Sequence, residues 1–172
     1  MSTIGLFYGS TTGKTADAAE KIQEAFGGDS VVTLYEISDV QASEFDGYEC
    51  IIIACPTWDI GELQPDWLGF YEDGELDNVN FTGKKVAYFG TGDQSGYPEN
   101  FQDAMGILEE KISGLGATTV GNWSTDGYDF EASKGVKNGK FVGLALDEDN
   151  QDELTDERIS KWVSQLKIEF GI

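Results

Sequence analysis

The sequence contains no histidine. That absence excludes Ser-His-Asp and Cys-His hydrolases, histidine-ligated metals and haem, and any imidazole general base. Cysteine is almost as scarce. Cys50 and Cys55 bound one apolar run, Cys50-Ile-Ile-Ile-Ala-Cys55. They form no CxxC pair and are too few for a metal cluster, so no metal site is expected. If the run is a strand, their Cα atoms lie ~16 Å apart at ~3.3 Å per residue, far beyond the ~7 Å reach of a disulfide. They read as core thiols in a reducing compartment. Cations are few as well: 11 Lys+Arg face 32 Asp+Glu, a net charge of −21. This argues against nucleic acid and anionic membrane surfaces as partners, since both need positive charge on the protein, and favours a basic partner. No basic segment followed by an apolar one opens the chain, and no apolar run approaches the ~20 residues that span a bilayer. A soluble, cytoplasmic protein without membrane insertion is expected.

The 172 residues are 40% hydrophobic and 12% aromatic. They can bury a sizeable core and read as a single domain over 1–172. Strand-like and helix-like patterns alternate. Strands are expected at 4–8, 31–35, 50–55 and 85–89, with a fifth position split into pieces at 118–123 and 140–146. The 50–55 run has no polar alternation and reads as covered on both faces. Helices are expected at 12–26, 65–71, 101–115 and 154–170, the last with Thr155 as N-cap, and 40–48 could hold another. This alternation implies an open, mostly parallel α/β sheet with helices on both faces. The polar, Gly-rich segment 124–139 reads as an insertion in the fifth strand. Ligands of such sheets sit outside the carboxyl ends of the strands, and there three loops stand out.

The first loop is Gly9-Ser-Thr-Thr-Gly-Lys-Thr15. Hydroxyls and glycines at a helix start make an anion cradle of N–H groups on the positive end of the helix dipole; the bland alternative is an ordinary capped helix. The loop misses the GxxxxGK[ST] phosphate motif by one residue, with Tyr8 in place of its first glycine, and no acid follows 51–53 to hold Mg²⁺. The phosphate is therefore expected to be bound, not transferred. The second loop is Cys55-Pro-Thr-Trp-Asp-Ile-Gly-Glu62 and the third Gly90-Thr-Gly-Asp-Gln-Ser-Gly-Tyr-Pro98. Either aromatic alone reads as a packing residue. Trp58 and Tyr97 at adjacent strand ends can instead stack on both faces of a flat ring. With the cradle alongside, they favour a planar heteroaromatic phosphate ester.

These loops carry a family resemblance over essentially the whole chain. Gly5-Leu-Phe-Tyr-Gly9 with Thr12-Gly-Lys-Thr15, Cys55-Pro-Thr-Trp58 with Ile60-Gly-Glu-Leu63, Tyr88-Phe-Gly-Thr-Gly-Asp-Gln94, Asn100-Phe-Gln-Asp103, Asp126-Gly-Tyr-Asp-Phe130 and Gly143-Leu-Ala-Leu-Asp-Glu-Asp-Asn150 together resemble the flavodoxins, specifically the long-chain type of cyanobacteria and algae. The resemblance implies a flavodoxin-like doubly wound five-stranded parallel sheet in the order 2-1-3-4-5, with the long-chain insertion in strand five. It implies non-covalent FMN and no catalytic residues. Ser10, Thr11, Thr12, Gly13, Lys14 and Thr15 would hold the phosphate. Trp58 and Tyr97 would sandwich the isoalloxazine, with Pro56, Thr57 and Gly61 beside Trp58 in the second loop. The backbone at Asp59-Ile60 would face flavin N5, and Thr91, Gly92 and Asp93 the pyrimidine edge, with Gln102 and Asp149 near the cofactor. The family pattern has Asn where this chain has Asp59.

By the same resemblance the protein is a low-potential one-electron carrier working on the semiquinone/hydroquinone couple. Its implied partners are photosystem I as donor and ferredoxin–NADP reductase as acceptor, in place of ferredoxin. The location is the cytoplasm, or the plastid stroma in an alga, and the expected state is a monomer. An NAD(P)H-dependent FMN quinone reductase on the same fold is the alternative, though no basic site for a nicotinamide phosphate is evident. Residues 1–83 carry 2 cations against 16 acids, and residues 84–172 carry 9 against 16. The acidic half holds the Trp58 loop, which suits steering of a basic redox partner as well as solubility.

Overall fold

The computed structural model describes residues 3–172. In chain order its main elements are β1 (Ile4–Tyr8), α1 (Lys14–Phe26), β2 (Val32–Glu36), β3 (Cys50–Ala54), β4 (Thr57–Trp58), β5 (Glu62–Leu63) and α2 (Pro65–Glu72). They are followed by β6 (Lys85–Thr91), α3 (Asp103–Gly114), β7 (Thr118–Thr119), β8 (Trp123–Ser124), β9 (Val136–Lys137), β10 (Lys140–Phe141), β11 (Leu144–Leu146) and α4 (Thr155–Phe170). The central sheet runs β11-β6-β3-β1-β2, all parallel, which is the expected order from its far edge.

The β3 run shows why the sheet needs two helical layers. Ile51 and Ile53 enter a core shared with α2 and α3, while Ile52 enters one shared with α1 and α4. All three are at most 1% exposed, as the lack of polar alternation demands. Helix α1 presents Ala18, Ala19, Ile22 and Phe26 to that second core. It ends at Gly27, whose φ of 123° no side-chain-bearing residue adopts readily.

The fifth sheet position is filled in two pieces along one edge of β6. β7 pairs with its first residues, Lys85 and Val86, and β11 with its last, Phe89 to Thr91. Between them the chain leaves the sheet and folds β8, β10 and β9 into a separate antiparallel ribbon.

Two local expectations are corrected. Segment 40–48 forms no α-helix; it makes 3₁₀ turns at Ile37–Asp39 and Ala42–Gly47. Only Phe45 is buried in the second turn, stacked 3.8 Å from Phe7, so no helical apolar face exists to dock. Thr155 is not the cap of α4 but its first residue, after a 3₁₀ turn at Asp152–Leu154. Its hydroxyl donates instead to Glu148 Oε1 at 2.5 Å.

Candidate functional site

The loops after β1, β3, β6 and β11 meet at the carboxyl edge of the sheet. They enclose a cleft of about 240 Å³ lined by Thr12, Lys14, Pro56, Thr57, Trp58, Asp59, Thr91, Gly92, Asp93, Tyr97, Asn100, Phe101, Glu148 and Asp149.

The loops are laced together before any ligand is considered. Ser10 Oγ accepts from the N–H groups of Gly13 and Ala16 at 3.2 and 3.4 Å, which shapes the start of α1. Thr11 Oγ1 accepts from Gln64 Nε2 at 3.1 Å, while Gln64 Oε1 caps α2 through Asp66 N and Trp67 N. The Thr15 and Thr91 hydroxyls share a buried hydrogen bond of 3.1 Å, tying the first loop to the third. Thr57 Oγ1 accepts from Ala104 N at 3.1 Å and so caps α3 from the second loop.

Tyr97 is presented by a tight turn. Asp93 Oδ1 accepts from Ser95 N, Gly96 N and Asn150 Nδ2 at 3.1, 2.7 and 2.8 Å, an aspartate turn of the usual kind. The Gly96 N–H and then the Asn150 amide hold the Asp93 carboxyl below its ordinary value. Behind the rim Asp147 is 0% exposed. Its Oδ2 accepts from Gln94 N, Gln94 Nε2 and Asn150 Nδ2, and its Oδ1 from Asp149 N, Asn150 N and Asn150 Nδ2. Gln94 Oε1 in turn takes the Asp129 N–H from segment 124–139 at 2.6 Å.

Lys14 reaches across the rim to Asp149 at 2.7 Å, and that hydrogen bond raises the lysine above its ordinary value. Both side chains are nearly half exposed, so the pair contributes little to stability. Cys55 donates to Pro56 O at 3.4 Å, and burial pushes its thiol up to about 12. At that value it is no nucleophile. Among the described residues no group of His, Cys, Asp and Glu is placed to hold a metal ion.

The structure thus brings Thr12, Lys14, Pro56, Thr57, Trp58, Asp59, Thr91, Gly92, Asp93, Tyr97 and Asp149 to one cleft. Ser10, Thr11, Gly13 and Thr15 build its first loop without lining the cleft itself. Ile60 points outward at 75% exposure, and Gly61 is buried behind the turn. Gln102 is 0% exposed; its Nε2 donates to Leu146 O and its Oε1 has no partner. Sequence reasoning missed Asn100, Phe101 and Glu148 as lining residues. The first two lie in a stretch that carries the family resemblance, and Glu148 adjoins Asp149.

A family profile described as Flavodoxin matches residues 6–162. The chain belongs to the flavodoxin family. The flavodoxin of Trichodesmium erythraeum is 73% identical over the full length of both chains, and that of Synechococcus elongatus is 63% identical, also over both. A solved flavodoxin of Fusobacterium nucleatum, bound to flavin mononucleotide, is 34% identical and superposes with a TM-score of 0.90, covering 98% of this chain and 99% of its own. The flavodoxin fold accounts for the two-layer helical packing and for a cleft built from strand-end loops. No helix among the described residues is long and apolar enough to cross a membrane.

Proposed function

We propose that the protein binds FMN non-covalently in this cleft and carries single electrons, with no substrate of its own. The observation that carries this reading is the composition of one cleft wall to wall. Trp58 and Tyr97 offer aromatic faces, and Thr12 and Lys14 sit at a helix start.

The residues present fit the group. The first-turn N–H groups of α1 have no carbonyl within their own helix, and the positive helix end suits a phosphate dianion. Thr12 adds a hydroxyl and Lys14 a charge. Ser10, Thr11, Gly13 and Thr15 hold that loop in shape. FMN held by these residues would supply one-electron chemistry. The chain's own part is to stack on the ring, fix its edge with the loops at 57–61 and 91–97, and surround it with acids. Asp59, Asp93 and Glu148 add negative charge to the wall beyond the Lys14–Asp149 pair, and this disfavours an electron added to a ring held there. That suits a low-potential carrier.

We further propose that its donor is photosystem I and its acceptor ferredoxin–NADP reductase, in place of ferredoxin, in the cytoplasm of a photosynthetic cell. The cyanobacterial relatives and the net charge of −21 support this reading.

Apoprotein titrated with FMN and with riboflavin tests the site. FMN should bind far more tightly, and equal affinities would overturn the phosphate assignment. NADPH added alone should leave the flavin oxidised; rapid bleaching without a reductase would favour the quinone-reductase reading. Electron transfer to a basic reductase should slow as salt shortens the Debye length from ~30 Å at 0.01 M to ~8 Å at 0.15 M. A rate indifferent to salt would leave the acidic rim a solubility device.

A further inference from the structure

Strands β4 and β5 form a hairpin that turns through Asp59, Ile60 and Gly61. Asp59 has φ 44° and Gly61 φ 81°, both left-handed. Asp59 is exposed, Gly61 buried. The group behind Gly61 is a carboxylate. A Cβ placed on Gly61 would lie 2.5 Å from Asp103 Oδ2 and 3.0 Å from Asn100 Nδ2. Glycine is therefore required there twice, by its φ and by the close approach.

Asp103 is the first residue of α3 and is 1% exposed. Its Oδ2 accepts from Asn100 Nδ2 at 3.0 Å, and its Oδ1 from the backbone N–H of Lys134 at 2.7 Å. Among the described residues no Lys or Arg side chain forms an ion pair with it. What offsets its burial is the positive end of α3 and two neutral donors. Asn100 itself lines the cleft. One buried carboxylate therefore joins the turn, the cleft wall and segment 124–139, one layer behind the site.

The acids on the rim and this one differ in kind. Rim charges are screened by salt, whereas a buried charge is screened much less.

We propose that Asp103 is a positioning residue for the cofactor: its carboxylate backs the Gly61 end of the turn, and its buried charge makes the protein hold reduced FMN less tightly than oxidised FMN. The proposal rests on the reading of the cleft as an FMN site.

Redox titration of the FMN-loaded protein tests the charge. Asp103→Asn keeps the shape and removes the charge. The affinity for two-electron-reduced relative to oxidised FMN should rise about fivefold to tenfold, and tenfold is ~30 mV in the two-electron midpoint potential. The shift should persist at about 0.5 M salt, where the exposed Asp59→Asn control loses its own. An unmoved potential, or a shift that salt abolishes, overturns the proposal. A double-mutant cycle tests the contact. Gly61→Ala should weaken FMN binding by a larger factor in the wild-type background than in Asp103→Ala, because the atom it strikes has gone. Equal factors would show that carboxylate and turn do not touch. A wild-type apoprotein that binds no FMN overturns the cleft reading and this proposal with it; one that binds FMN but gives the adverse results overturns the proposal alone.

Discussion

Asp147→Asn is the sharpest probe of how the rim is built. The side chain is fully buried and receives donors on both oxygens: Gln94 N and Nε2 on one, Asp149 N and Asn150 N on the other, with Asn150 Nδ2 reaching both. Asparagine has the same shape, but one oxygen becomes an NH₂. Whichever way the amide turns, that NH₂ faces at least two donors. Two hydrogen bonds to a charged acceptor are worth roughly 1.5–3 kcal/mol each. The surviving bonds fall to about half their strength once the charge is gone. Relief of a buried charge offsets part of the loss, leaving a net cost of about 3–5 kcal/mol. With a urea slope of ~2 kcal/mol/M, the midpoint should fall by ~1.5–2.5 M. The assay is urea unfolding of the apoprotein, so that cofactor linkage adds nothing. Asp149→Asn is the control. Its carboxylate is 47% exposed and paired only with a half-exposed lysine, so it should cost less than about 1 kcal/mol. If the two variants unfold together, the network at Asp147 is not what holds the rim.

Gly106→Ala should destabilise, although alanine normally gains ~1 kcal/mol over glycine inside a helix. Its Cβ would overlap Lys134 O, a backbone atom that cannot rotate away. A net loss of about 1–3 kcal/mol is expected, with faster hydrogen exchange at Lys134 N; a higher melting temperature would refute the close approach. Asp93→Asn tests the turn that presents Tyr97. The folded carboxyl sits below its ordinary 3.8, so its contribution is present above that pH and is lost as the pH falls through the folded value. Wild type and variant should therefore differ near neutrality and converge in acid; a gap independent of pH counts against it. Thr12→Val should weaken FMN binding by roughly tenfold to a hundredfold, for one lost bond to a dianion at ~1.5–3 kcal/mol. Riboflavin affinity should stay unchanged, and an equal loss for both would move Thr12 away from the phosphate.

The main strands were legible because burial on both faces leaves an uninterrupted apolar run, as at Ile51 to Ile53. The three loops were legible because glycines, hydroxyls and unpaired aromatics at strand ends have no core use. Segment 37–47 was not, because a single anchor such as Phe45 has no period to read. Nor was the side of the wall on which a polar residue falls. Gln102 and Asp103 are both buried, yet in sequence they look like an exposed helix start. Their inward turn depends on the φ of 61° at Gln102 and on contacts from Leu146 and Lys134, residues far along the chain. The Asp147 network is hidden for the same reason. In sequence Asp147 is one acid in the run 147–150, and only the fold separates it from its exposed neighbours.

The split edge of the sheet also sets an order of assembly. β7 reaches the start of β6 through α3 alone, whereas β11 arrives only after the whole excursion 120–143 has returned. Chains emerge from the ribosome amino-terminus first, at ~5–20 residues per second. The first four strand positions are thus available before the last wall of the cleft exists, since that wall, Glu148 and Asp149, hangs directly from β11. A nascent chain stalled before residue 144 could pair most of its sheet and still be unable to enclose a ligand.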